Sequence, residues 1–223
     1  MKISIQVPEK LNEITLNQYK RWLKISENNE DNNFVQQKMI EIFCKVPLKQ
    51  VLQMKVEDMN TITETLSSMF NQTTRLINKF TYNNVEFGFI PKLDDMTFGE
   101  YVDLDSYLAD WQQMDKAMAV LFRPITMTKK NKYLIEEYES ATKYNMADMP
   151  LDVVFGSLVF FWDLKSELQK TIQNYLLNQQ EVVIPQSLLD SVKNGVGINP
   201  FTDLLKVTSL RLMKLRKPIS TPV

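Results

Sequence analysis

Hydrophobic positions recur along most of the chain at intervals of three and four, the spacing of helices that bury one face. Val35, Met39, Ile42, Phe43 and Val46 form one such stripe, and Met59, Ile62, Leu66, Met69 and Phe70 another. Start signals agree with the stripes. Thr15 precedes Gln18, and Thr97 precedes Glu100, at capping-box spacing. The first box predicts a helix to Ile25, and the second a helical region to Phe122 that Arg123-Pro124 terminates. Within that region Tyr107, Trp111, Met114, Met118, Leu121 and Phe122 share one arc. Residues 27–33 read as a loop, Pro47 as a stop and residues 48–54 as a short helix.

In two places the period drops to two. Ile3, Ile5 and Val7 alternate with Lys2, Ser4 and Gln6, which predicts a half-buried strand ended by Pro8. Residues 76–82 and 85–90 flank Asn83-Asn84, and asparagine tolerates the positive φ of a two-residue hairpin turn. Two isolated strands are marginal, so the N-terminal strand is the expected partner of this hairpin. Residues 125–143 read as irregular, with a short strand near 133–135.

Pro150 suits the first turn of a helix that the pattern carries to Asn178. Its first half is apolar nearly all round from Val153 to Trp162, as in a central buried helix. Its second half narrows to Leu164, Leu168, Ile172, Tyr175 and Leu176. Pro185 and Asn194-Gly195 bracket a short helix, and Asn199-Pro200 launches a last one to Arg216. The expected fold is mainly α: a compact helical bundle with a small β element made of the N-terminal strand and the hairpin. The expected organisation is one compact unit, with an N-terminal strand and helical half (1–71), a β-hairpin connector (72–96) and a C-terminal helical half (97–223).

Composition narrows the chemistry more than the fold. The chain has no histidine, which excludes Ser-His-Asp, Cys-His and HExxH sites. Cys44 is the single cysteine, so no internal disulfide or Cys-rich zinc site can form, as suits a reducing compartment. Five glycines are too few for a turn-rich sheet fold. A formal charge of −1 supplies no general attraction to nucleic acid or anionic lipid. The longest apolar run, residues 153–162, falls short of the ~20 residues that cross a bilayer.

Four features offer candidate chemistry. The first is the acidic stretch holding Asp94, Asp95, Glu100, Asp103, Asp105, Asp110 and Asp115, which could bind Mg²⁺ or supply an acid–base pair. Asp103 and Asp105 point apart on a helix, however, and Asp94-Asp95 stand where acids favour a helix start, so solvation and capping explain them more simply. The second, Gly195-Val196-Gly197, lacks the third glycine of a dinucleotide fingerprint and reads as a helix stop. The methionines, among them Met114, Met118, Met146 and Met149, read as core rather than as an adaptable groove, and Cys44 as a small buried hydrophobe. The fourth is the terminal helix. Phe201, Leu204, Leu205, Leu212 and Leu215 occupy one arc and Val207, Leu210 and Met213 the other sides, with Lys206, Arg211, Lys214, Arg216 and Lys217 interspersed. One arc is expected to pack on the protein, while Val207, Leu210, Arg211, Met213 and Lys214 meet a partner.

Several stretches carry a resemblance to a known family. They are residues 90–105 (IPKLDDMTFGEYVDLD) running on to Trp111, residues 116–125 (KAMAVLFRPI) and residues 148–153 (DMPLDV). Residues 5–8 (IQVP) and 13–19 (EITLNQY) belong with them. The chain resembles a family of proteins encoded by tailed bacteriophages, the crAss-like and related phages of Bacteroidetes and marine bacteria, over most of its length, thinning after residue 180. The resemblance implies a morphogenesis role near the portal, neck or tail. It supplies no catalytic motif, and its matching residues read as caps, core and boundaries.

The combined expectation is a non-enzymatic virion or assembly protein, an oligomeric ring or connector component. It would bind portal, neck or tail proteins, associate with itself, and use neither membrane nor direct nucleic-acid contact. No catalytic, cofactor or metal site is expected, and the expected location is the virion, with the host cytoplasm during assembly. One alternative is a tail-assembly chaperone absent from the particle. Another is a Mg²⁺ enzyme using Asp94, Asp95, Asp103 and Asp105.

Overall fold

The computed structural model describes residues 5–130 and 132–178. Among these the chain is mainly helical, with seven α-helices and one four-stranded antiparallel sheet. It divides into two compact units. One is residues 5–74 with Met146–Val154, and the other Arg75–Asn145 with residues 155–178. This division differs from the expected 1–71, 72–96 and 97–223 in a single unit. The hairpin belongs wholly to the second unit, and Met146–Val154 returns to the first.

The first unit holds α1 (Leu16–Glu27), α2 (Asn32–Phe43), α3 (Leu48–Val51) and α4 (Val56–Phe70). The Thr15 box is closed in both directions, its hydroxyl accepting from Gln18 N and Gln18 Oε1 accepting from Thr15 N. The Gln18 amide also donates to the Ile42 carbonyl at 2.7 Å, so one buried side chain both caps α1 and ties it to α2. The core is aromatic. Trp22 stacks on Phe70 at 6.2 Å, with Tyr19 and Phe43 tilted against them. The segment before α7 (Leu151–Asn178) is laced to the start of α1: Leu16 N donates to Met149 O, Asn17 N to Ala147 O and Leu151 N to Ile14 O. Those three bonds explain why a segment distant in sequence joins this unit.

Residues 5–7 form no strand, and the remainder of the expected N-terminal strand lies outside the described residues. The hairpin itself is present as β1 (Lys79–Tyr82) and β2 (Val85–Phe89), with Asn83 at φ 49° and Asn84 at φ 63°. Its partner is β3 (Phe122–Lys129), which pairs in turn with β4 (Lys132–Ile135), giving the order β1-β2-β3-β4. Helix α6 (Met114–Leu121) thus ends one residue short of the expected Phe122, and Arg123-Pro124 lie inside the strand that follows at once. Proline lacks an N–H yet keeps its carbonyl, and Pro124 O accepts from Glu136 N at 2.9 Å. A register shift between Ile125 and Met127 blurs the alternation that would have marked this strand.

The helical region after Thr97 is two helices, α5 (Phe98–Leu108) and α6 (Met114–Leu121), separated by a 3₁₀ turn at Trp111–Gln113 that Asp110 caps. Trp111, Met114, Met118, Leu121 and Phe122 of the expected arc are buried, while Tyr107, on α5, is half-buried. Phe80, Phe89 and Phe122 join Phe160 and Phe161 of α7 in one edge-to-face cluster. The apolar half of α7 is not buried all round, because Trp162 remains 38% exposed. No described helix is long and apolar enough to cross a membrane.

Candidate functional site

The second unit encloses a cleft of about 1170 Å³ beside the sheet and the start of α5. Its lining includes a buried ion pair that begins as a helix cap. Thr97 Oγ1 accepts from Glu100 N, and the Glu100 carboxylate reaches back, Oε2 accepting from Thr97 N at 2.6 Å and from Thr97 Oγ1 at 2.7 Å. The other oxygen, Oε1, meets Arg123 Nη2 at 2.5 Å. Both side chains are buried. A carboxylate with a hydroxyl and an amide donor on one oxygen and a guanidinium on the other has both oxygens engaged and is fixed in place.

Besides Glu100, one aromatic neighbour positions Arg123. Its guanidinium lies 5.7 Å from the centre of the Tyr138 ring, a cation–π distance, and the Tyr138 hydroxyl donates to Asp103 of α5. The buried Arg123 Nε has no hydrogen-bond partner among the described residues. Burial, and after it the hydrogen bond to Asp103, pushes the Tyr138 phenol well above its ordinary value. The segment after β4 is fastened at a second point. Lys143 Nζ meets Glu136 at 2.7 Å and Glu139 at 2.6 Å, and the Tyr144 hydroxyl donates to Glu136. Those bonds hold Glu136 below the ordinary carboxylate range, Lys143 contributing most and Tyr144 next. The same carboxylates raise the Lys143 ammonium, Glu136 most.

The acidic stretch is dispersed by the fold. Asp94 and Asp95 are exposed on a 3₁₀ turn, Asp103 is bonded to Tyr138, and Asp105 is exposed. Asp110 caps the Trp111 turn, and Asp115 lies in the first turn of α6. Among the described residues no group of three or more His, Cys, Asp or Glu side chains converges to hold a metal. Met114, Met118, Met146 and Met149 are fully buried core. Cys44 is buried at the end of α2, where desolvation raises its thiol to about 11. Val207, Leu210, Arg211, Met213 and Lys214, and Gly195 and Gly197, lie outside the described residues.

Sequence reasoning missed Arg123, Tyr138, Lys143 and Tyr144. One signal was present. Arg123 interrupts an apolar run from Ala117 to Ile125, and a lone charge in such a run asks for a buried partner. The partner, Glu100, was visible only as half of a capping box. No family model matches the chain, and no curated protein or solved structure does either.

Proposed function

We propose that this chain is a non-enzymatic bacteriophage virion or assembly protein that works by binding other proteins, as a component of a portal, neck or tail ring. The observation that carries the reading is a contrast within the second unit. Thr97, Glu100, Arg123 and Tyr138 of its cleft are engaged with one another, whereas Phe98, Val102, Met127 and Leu134 stand in solvent in two pairs. Phe98 (81% exposed) and Val102 are one turn apart on α5, and Met127 and Leu134 (59% each) face each other across the β3–β4 pair. Each forfeits part of the roughly 1.5–3 kcal/mol that full burial of such a side chain contributes, so paired exposure of this kind favours a surface that another protein covers. The resemblance to tailed-phage proteins supplies the setting.

Mass spectrometry of purified virions tests the proposal, together with capture of portal, neck and tail proteins from infected cells. A fixed copy number in the particle is the expected result. Absence from the particle with retention of a bound tail protein would turn the reading to an assembly chaperone. A hydrolase or nuclease activity that is lost when Asp94, Asp95, Asp103 and Asp105 become alanine in a folded protein would overturn it.

A further inference from the structure

The sheet stops at β4 with half of that strand's backbone unused. Glu136 N donates to Pro124 O at 2.9 Å and the Thr126 hydroxyl to Leu134 O at 3.4 Å, so Leu134 and Glu136 direct their backbone groups toward β3. Directions alternate along an extended chain, so Tyr133, Ile135 and Glu137 direct theirs away from β3. β4 is the last strand of the order β1-β2-β3-β4, and no described strand receives those groups. The cleft follows this edge. Seven consecutive residues, Lys132–Tyr138, line it, whereas a cleft over one face of a strand is lined by alternate residues. The charges of the edge are divided. Lys132 stands at one end and Glu136 and Glu137 at the other, of which Glu136 is held by Lys143 and Glu137 is exposed.

A segment with the pattern of a strand and no strand partner occurs in the same chain. Ile3, Ile5 and Val7 alternate with Lys2, Ser4 and Gln6, yet residues 5–7 join no strand of their own molecule. Six extended residues span about 20 Å, which matches the edge from Lys132 to Glu137. Charge selects the direction. Antiparallel to β4, the segment brings Lys2 to the Glu137 end and away from Lys132; parallel to it, lysine would stand beside lysine.

We propose that residues 2–7 of one copy add to the β4 edge of a second copy as an antiparallel fifth strand, with Ile3, Ile5 and Val7 opposite Glu137, Ile135 and Tyr133. In such a pairing the opposed residues exchange backbone bonds and share a face of the sheet, so the added apolar side chains lie on the face of Ile135 and Tyr133. Backbone bonds supply the affinity and alternate side chains the specificity, as wherever an extended peptide lengthens a sheet. Donor segment and receiving edge are different surfaces, so the contact is head-to-tail, the kind that propagates from subunit to subunit and closes into rings. The inference rests on the protein-binding reading above and names the partner as a second copy of the chain.

Fluorescence anisotropy of a labelled peptide of residues 2–8 (KISIQVP), titrated with the purified full chain, tests it independently of any phage experiment. The peptide should bind saturably. N-methylation at Ile3 and Ile5 removes donors that face β4 and should weaken binding about tenfold or more, whereas N-methylation at Ser4 and Gln6 should leave it within about threefold. Glu137→Lys in the full chain should weaken binding of the intact peptide, and a Lys2→Glu peptide should recover it. Circular dichroism establishes that this variant is folded; the methylation comparison needs no change in the chain and stands without it. In sedimentation the intact chain should self-associate, and the chain with Ile3→Asp and Ile5→Asp should not. Absence of saturable binding, equal effects of the two methylation patterns, a folded Glu137→Lys chain without effect or without recovery, or an intact chain that stays monomeric would each overturn the proposal. None of those outcomes bears on whether the protein is found in virions.

Discussion

Glu100 Oε1 and Arg123 Nη2 stand 2.5 Å apart with both side chains buried, one on the first turn of α5 and the other on β3. The pair fixes the helix start against the sheet. Neither charge reaches bulk water, so each depends on the other for its solvation. Replacing Arg123 by Met, or Glu100 by Leu, leaves one buried charge uncompensated and is expected to cost about 3–5 kcal/mol of unfolding free energy. The double change Glu100→Leu with Arg123→Met should cost clearly less than the sum of the single ones. Urea denaturation of the four proteins of this cycle measures the coupling directly.

The two capping boxes should differ in cost although their local geometry is the same. Thr15→Ala removes one cap and is expected to destabilise by about 1 kcal/mol. Thr97→Ala removes a cap and also a hydroxyl that donates to the carboxylate of the buried pair. It should exceed the Thr15 change by about 1–2 kcal/mol, the range for a hydrogen bond to a charged group. Equal losses in thermal unfolding would mean that the hydroxyl contributes nothing beyond capping.

Gly156 sits inside α7, where alanine ordinarily helps a helix by about 1 kcal/mol. Here a Cβ would lie 2.2 Å from the Arg75 carbonyl oxygen and 2.9 Å from its carbon, and a backbone cannot swing aside as a side chain can. Gly156→Ala should therefore destabilise by about 3 kcal/mol, against the helix-propensity trend. An increase in melting temperature would show that residues 75–76 move freely.

Alkaline pH should weaken the fold in two steps. Burial raises the Cys44 thiol from 9.0 to about 11, and Tyr133, Tyr138 and Tyr144 are raised from 10.0, burial being the first cause in each. A group raised in the folded state holds its proton more tightly there. Its contribution is complete below the unfolded value and is lost as pH climbs through the folded one. Stability in urea should therefore begin to fall near pH 9, by up to about 1.4 kcal/mol per pH unit for the buried Cys44 thiol and by less for the more exposed tyrosines. Cys44→Ala should delay that onset toward pH 10, where the tyrosines take over. An unchanged onset would show that the thiol stays protonated equally well in the unfolded chain.

Caps, tight turns and long helical periods were legible in the sequence, because each is settled by residues close together in the chain. Thr15 and Thr97 start helices because a hydroxyl three residues before a Gln or Glu satisfies amide groups of the first turn wherever the rest of the chain goes. Asn83 and Asn84 turn a hairpin because they tolerate positive φ, and the 3.6-residue period carries α7 to Asn178. Tertiary structure decided which elements meet. The third strand is Phe122–Lys129 rather than the alternating N-terminal residues, since a strand with a proline and a register shift shows no clean period and is recognised only by the edge that receives it. Glu100 and Arg123 lie twenty-three positions apart, and nothing in either neighbourhood names the other. Likewise Met127 and Leu134 become a patch only once β3 and β4 pair and Tyr133 turns their opposite face inward. Periodicity reports which face of an element is apolar; whether the same chain or another molecule covers it depends on long-range packing that no local window contains.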